Sequence, residues 1–192
     1  MTAREPPGHA SRSVPSELLA AWRAEENGQP EGWDFSSLDG RMDQDSPPWD
    51  FEQVCRAAAT HSSRLLDMGT GGGEALLAFA DVLPQDTMAT EGWAPNVPVA
   101  TAALAAHGIP VVEFGQPEDA AEPEPMPFPD GRFDLILNRH ESYHPQEIAR
   151  VLAPGGTFLT QQVGGDELSE LRELLPYPAQ APGRGSTCTE RR

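Results

Sequence analysis

An open α/β fold, a doubly wound parallel sheet of about five strands in the order 3-2-1-4-5 with flanking helices, is predicted from three observations. Helical and extended patterns alternate from residue 50 onward, as strands joined by crossover helices require. A glycine cluster, Gly69 with Gly71 to Gly73, falls between the first strand and the next helix, at the sheet edge where such folds bind ligands. The stretch Phe133 to Asn138 is largely apolar, as in strands covered on both faces.

The 192 residues suit one domain. The 20 prolines and 18 glycines thicken before residue 50, between 115 and 131, and after 176. The packable core is therefore 50–175, preceded by a helix and an irregular Pro/Trp-containing segment (1–49) and followed by a tail (176–192) whose composition suits a coil.

Residues 16–26 place Leu18, Leu19 and Trp22 on one helical face, with Ser16 as the expected cap. The Trp33-Asp34 and Trp49-Asp50 pairs follow in a loop, and 51–60 is helical. The first strand is 64–68; a helix over 73–83, a second strand at 87–90 and a helix over 97–107 come next. Gly108 ends that helix in the left-handed position glycine tolerates. The third strand is 109–114, the fourth 133–138, and a helix over 145–152 stops at Pro154-Gly155-Gly156 before a fifth strand, 157–163. A last helix spans 166–175.

Composition excludes several functions. With 13 Lys plus Arg against 30 Asp plus Glu, the net charge of -17 disfavours nucleic acid, whose binding depends on basic side chains. Two distant cysteines, Cys55 and Cys188, suggest neither a zinc ribbon nor a disulfide framework. There is no apolar leader and no run approaching a membrane span, so a cytoplasmic protein is expected.

The chemistry concentrates in Asp67-Met68-Gly69-Thr70-Gly71-Gly72-Gly73-Glu74. Glycines let the chain turn tightly and let a ligand approach the peptide planes, while the next helix offers free amide donors. A dinucleotide fingerprint starting at Gly69 would need glycine where Glu74 stands, and no lysine completes a phosphate loop. Both phosphate readings weaken, and with them a nicotinamide-dependent oxidoreductase. Asp67 favours a ligand carrying an ammonium group. Glu91 ends the second strand 20 residues beyond Gly71, where an acid accepts hydrogen bonds from ribose hydroxyls; Trp93 is placed to flank a base.

The ordered segments D-M-G-T-G-G-G-E, Glu91, M-P-F-P-D-G-R-F-D-L-I-L-N and L-A-P-G-G-T-F-L-T resemble the motifs of class I S-adenosylmethionine-dependent methyltransferases, a Rossmann-like family. The resemblance covers about residues 50–175. It implies that Asp67, Gly69, Thr70 and Gly71 hold the methionyl end of S-adenosyl-L-methionine and Glu91 the ribose. It gives the adenine amino group to Glu122 or its rival Asp119, and sets Asn138 and Arg139 beside the transfer site. The acceptor implied is a small molecule. The family continues to two more strands, so the resemblance also implies a chain truncated after the fifth; the alternative expectation is a cofactor-binding protein with impaired catalysis.

His140-Glu141-Ser142-Tyr143-His144 matches the H-E-x-x-H of zinc proteases, which works only on a helix. Here the match follows a strand, and Pro145 disfavours helical geometry at His144, so no metal is expected. His140 and Glu141 are instead expected in the loop facing the acceptor, as candidate proton acceptors. The fifth strand carries no charge, so an edge there would be open to a second copy and a homodimer.

Overall fold

The computed structural model describes residues 14–28, 36–43, 47–116, 122 and 124–164. Its centre is a five-stranded sheet in the order β3-β2-β1-β4-β5, with every neighbouring pair parallel. The strands are β1 (Arg64–Met68), β2 (Asp86–Glu91), β3 (Val111–Glu113), β4 (Phe133–Arg139) and β5 (Leu152–Gln161). The helices are α1 (Ser16–Glu26), α2 (Phe51–Ala59), α3 (Glu74–Leu77), α4 (Asn96–Ala105) and α5 (Pro145–Val151). No helix among the described residues is long and apolar enough to cross a membrane.

Successive strand residues point to opposite faces, so the continuous apolar runs of β1 and β4 feed two cores. Leu65, Leu135 and Leu137 pack with Cys55, Leu76, Phe79 and Leu104 on the face covered by α2, α3 and α4. Leu66, Met68 and Ile136 pack with Met126, Phe128, Ile148 and Val151 on the other. The alternation that separates Leu65 from Leu66 also sends Asp67 to the α2–α3 face. It lines a small cavity there with Cys55, Leu76 and Phe79.

Several expectations are corrected. The helix expected over 73–83 is the single turn α3 followed by a 3-10 turn at Ala80–Val82, because Phe79 leaves helical geometry (φ -127°, ψ 33°) to bury its ring. The fifth strand starts at Leu152, directly after α5, and passes through Pro154-Gly155-Gly156 as an irregularity. Phe133 pairs with Leu152, but Leu135 already pairs with Thr157. Ser16 is not a cap: Pro15 holds that position and no side chain caps α1, whose Leu18, Leu19 and Trp22 are exposed. The capped helix is α2, where Asp50 accepts from the Gln53 amide at 2.9 Å. Gly108 does end α4 with φ 71°. The expected helix over 166–175, the tail, Cys188 and the Trp33-Asp34 pair lie outside the described residues.

Candidate functional site

The turn after β1 is built by glycines at positive φ, Gly69 at 63°, Gly71 at 63° and Gly73 at 91°, conformations costly for other residues. It is tied to β2: the Thr70 amide donates to the Thr90 carbonyl at 2.9 Å. Buried Glu91 takes the Gly71 amide on one carboxylate oxygen and the Trp93 amide on the other, each at 2.7 Å. A carboxylate bonded to two backbone donors is oriented before any ligand arrives. The ends of β2 and β3 meet backbone to backbone, since a Cβ on Gly92 would stand 2.5 Å from the Gly115 Cα.

Two clefts open at this edge. One, of about 560 Å³, is lined by Asp67, Gly69, Thr70, Glu74, Arg139 and His140, among others. The second, of about 790 Å³, is lined by Trp49, Asp50, Glu52, His140, Gln161 and Gln162, among others. Glu52, Arg139 and His140 line both, so the clefts adjoin there. Burial pushes the Asp67 carboxyl up to about 6, opposed by the neighbouring Thr70 hydroxyl and reinforced by the Glu91 charge. Burial, with Asp67 adding and Arg139 opposing, drives the Cys55 thiol up to about 12, leaving it a packing residue.

The structure thus brings Asp67, Gly69, Thr70, Gly71, Glu91 and Trp93 together around one turn. Asn138 is set differently from Arg139: it is buried, its amide donates to the Glu141 carbonyl at 3.1 Å, and it accepts from Gln162 at 2.7 Å. Glu122 is exposed, and Asp119 lies outside the described residues. His140 adopts left-handed φ 65°, and His144 is extended before Pro145, which begins α5. The H-E-x-x-H residues therefore lack the helical face zinc ligation needs. No group of three or more His, Cys, Asp or Glu among the described residues is placed to hold a metal. Glu141 packs against Gly69, a residue of the first cleft. Trp49, one of the two Trp-Asp pairs noted in the sequence, lines the second cleft, whereas Glu52, Gln161 and Gln162 were not singled out; the Asp50-x-x-Gln53 cap was the available signal for α2.

The site suits a nucleoside-like ligand with a cationic group. Buried Thr70 lines the first cleft beside Asp67, whose carboxyl its hydroxyl holds down. Asp67 and Glu91 set two carboxyl groups at this turn.

The family model described as "Methyltransferase domain" matches residues 66–160. The uncharacterized methyltransferase YcgJ of Bacillus subtilis (strain 168) is 34% identical over 112 residues, 55% of this chain and 41% of that protein. The chain thus spans about two fifths of the length of this curated relative. The crystal structure of the B. subtilis YcgJ protein is similar at TM-score 0.46 and 26% identity, covering 57% of this chain and 49% of that one. A SAM-dependent methyltransferase structure from Aquifex aeolicus is similar at TM-score 0.47 and 20% identity, covering 70% and 76%.

Proposed function

Because residues 66–160 carry a methyltransferase domain of Rossmann-like fold, we propose that the protein transfers a methyl group from S-adenosylmethionine to a small molecule. The observation that carries this is the meeting of two clefts at Glu52, Arg139 and His140, one beside the glycine turn and one beside Trp49. S-adenosylmethionine supplies a methyl on a sulfonium, already activated for in-line displacement, so positioning is the protein's main task.

Each residue then has a task. Asp67 pairs with the ammonium, the Gly69–Gly71 backbone and Thr70 hydroxyl bind the methionyl end, and Glu91 holds the ribose. Trp93 flanks adenine, with Glu122 or Asp119 for its amino group. Arg139 and His140 stand where donor and acceptor adjoin, and His140 takes the proton of a protic acceptor. The acidic balance favours a small acceptor over nucleic acid.

Calorimetry with S-adenosylmethionine, S-adenosylhomocysteine and a nicotinamide dinucleotide tests this. The first two are expected to bind; binding of the dinucleotide alone would refute it. Glu91→Ala removes the acceptor of the Gly71 and Trp93 amides as well as a ribose contact, and is expected to weaken binding by about 1–3 kcal/mol. An unchanged affinity in a folded variant would take Glu91 out of the site.

We also propose a homodimer through β5. This strand ends the sheet among the described residues, and its Thr157–Gln161 portion carries no charge that would guard the edge. Light scattering is expected to give twice the chain mass; a monomer at high concentration would dismiss the interface.

A further inference from the structure

We propose that the methyl acceptor is a small carboxylic acid and that Arg139 holds its carboxylate. This rests on the methyltransferase reading above and names the class of its acceptor. Arg139 ends β4 and lines both clefts as well as the small cavity beside Cys55. The charged end of the side chain, and not the backbone alone, reaches that side: it opposes the upward pull of burial on the Cys55 thiol.

In a chain of net charge -17 without lysine, acids are in excess and a guanidinium finds one readily. Arg41, Arg56, Arg64, Arg132 and Arg150 each meet a carboxylate. Arg23 stands in the last turn of α1, where the helix end favours a cation. Among the described residues the Arg139 side chain has no ion pair and no hydrogen bond, although Asp50 and Glu52 line the second cleft with it. Asp50 is committed to the Gln53 amide as the cap of α2, and Glu52 stands in the first turn, where that helix end favours an acid. Both acids thus serve α2, and Arg139 is left to a ligand.

The strand fixes its place. Arg139 pairs with Gln161 across β4 and β5, and the next amide, that of His140, donates to the Gln161 carbonyl at 2.9 Å. The Gln161 side chain accepts from the Trp49 indole at 3.1 Å, which ties this ring to the strand while leaving the residue 56% exposed in the second cleft. Guanidinium and indole together suit a flat acid: the planar fork takes a carboxylate in two parallel hydrogen bonds, and an aromatic face covers the hydrocarbon part. The donor also carries a carboxylate, but on the same carbon as the ammonium allotted to Asp67. A cation serving it would act on Asp67 too. The influences on Asp67 are burial, the Thr70 hydroxyl and Glu91, and Arg139 is not among them.

Calorimetry on the full chain saturated with S-adenosylhomocysteine tests this with benzoate and benzamide, a pair that differs in charge and little in shape. Benzoate is expected to bind about tenfold more tightly than benzamide, the scale of hydrogen bonds to a charged group, and Arg139→Gln to abolish that preference. The variant should keep its affinity for S-adenosylhomocysteine within about twofold, which also reports that it is folded. Benzoate bound no better than benzamide, or a preference that survives in Arg139→Gln, would overturn the proposal while leaving the methyltransferase reading intact. So would a variant that loses S-adenosylhomocysteine as it loses benzoate, since the guanidinium would then serve the donor. Failure of the unaltered protein to bind S-adenosylhomocysteine would overturn both.

Discussion

Arg150→Ala is expected to lower the free energy of unfolding by about 2 kcal/mol, because it leaves buried Glu147 and two backbone carbonyls without their charged donor although the guanidinium itself is partly exposed. Arg150 donates to both carboxylate oxygens of Glu147, at 2.9 and 2.6 Å, and to the carbonyls of Phe128 at 2.7 Å and Met126 at 2.9 Å. It also meets Asp130 at 3.0 Å. Glu147, itself buried, accepts the Met126 amide at 2.7 Å. One guanidinium thus fastens the entry to β4, whose far end carries Arg139 and His140 into the clefts. Hydrogen bonding to Arg150 holds the Glu147 carboxyl below the ordinary carboxylate range. A depressed carboxyl stabilises the fold above its unfolded value and ceases to do so as pH falls through its folded value, so the deficit of Arg150→Ala should shrink in acid. Urea unfolding measures this beside Arg56→Ala, which loses only an exposed pair with Asp81 and should cost far less. Equal losses in the two variants would mean the Arg150 network contributes little.

The parts of the fold legible in sequence are those governed by local pattern. Residues 64–68 alternate between two buried faces and end at a glycine turn, so strand, turn and ligand edge follow from period and composition alone. The order 3-2-1-4-5, which is the order observed, came instead with the family resemblance, because local pattern does not say which strands are neighbours. What was missed depends on contacts distant in sequence. Phe79 ends α3 early because its ring is drawn into a core shared with Leu65 and Leu135. Pro154-Gly155-Gly156 reads as a stop, yet pairing of Leu152 with Phe133 carries the strand across it. The approach of Glu141 to Gly69 and the bond from Gln162 to the Glu141 carbonyl, 21 residues apart, are likewise contacts that no local pattern shows.

Asp67→Asn should make the ligand-free protein more stable and the site worse, a combination that a merely structural aspartate would not give. The β1 alternation places this carboxyl on the α2–α3 face near Leu76 and Phe79, and burial there raises it from 3.8 to about 6, with the Glu91 charge adding and the Thr70 hydroxyl opposing. An acid whose folded value lies above its unfolded one binds more protons when folded. Stability therefore declines as pH rises from about 4 to about 6 and stays lowered above that. Asparagine removes the ionisation, so the variant should gain about 2–3 kcal/mol at about pH 7 and almost nothing at about pH 3. The same substitution deletes the charge allotted to the ammonium and should weaken S-adenosylmethionine at least about tenfold. Binding by the unaltered protein should also weaken as pH falls below about 6, where Asp67 takes up a proton. Denaturant unfolding across pH, paired with calorimetry, measures both effects on one pair of proteins. A variant that is less stable at neutral pH would show the carboxylate to be a structural acceptor. One that is more stable yet binds as before would put the ammonium elsewhere. The expected pairing, stability gained and affinity lost, is what a charge kept in an unfavourable place for a ligand produces.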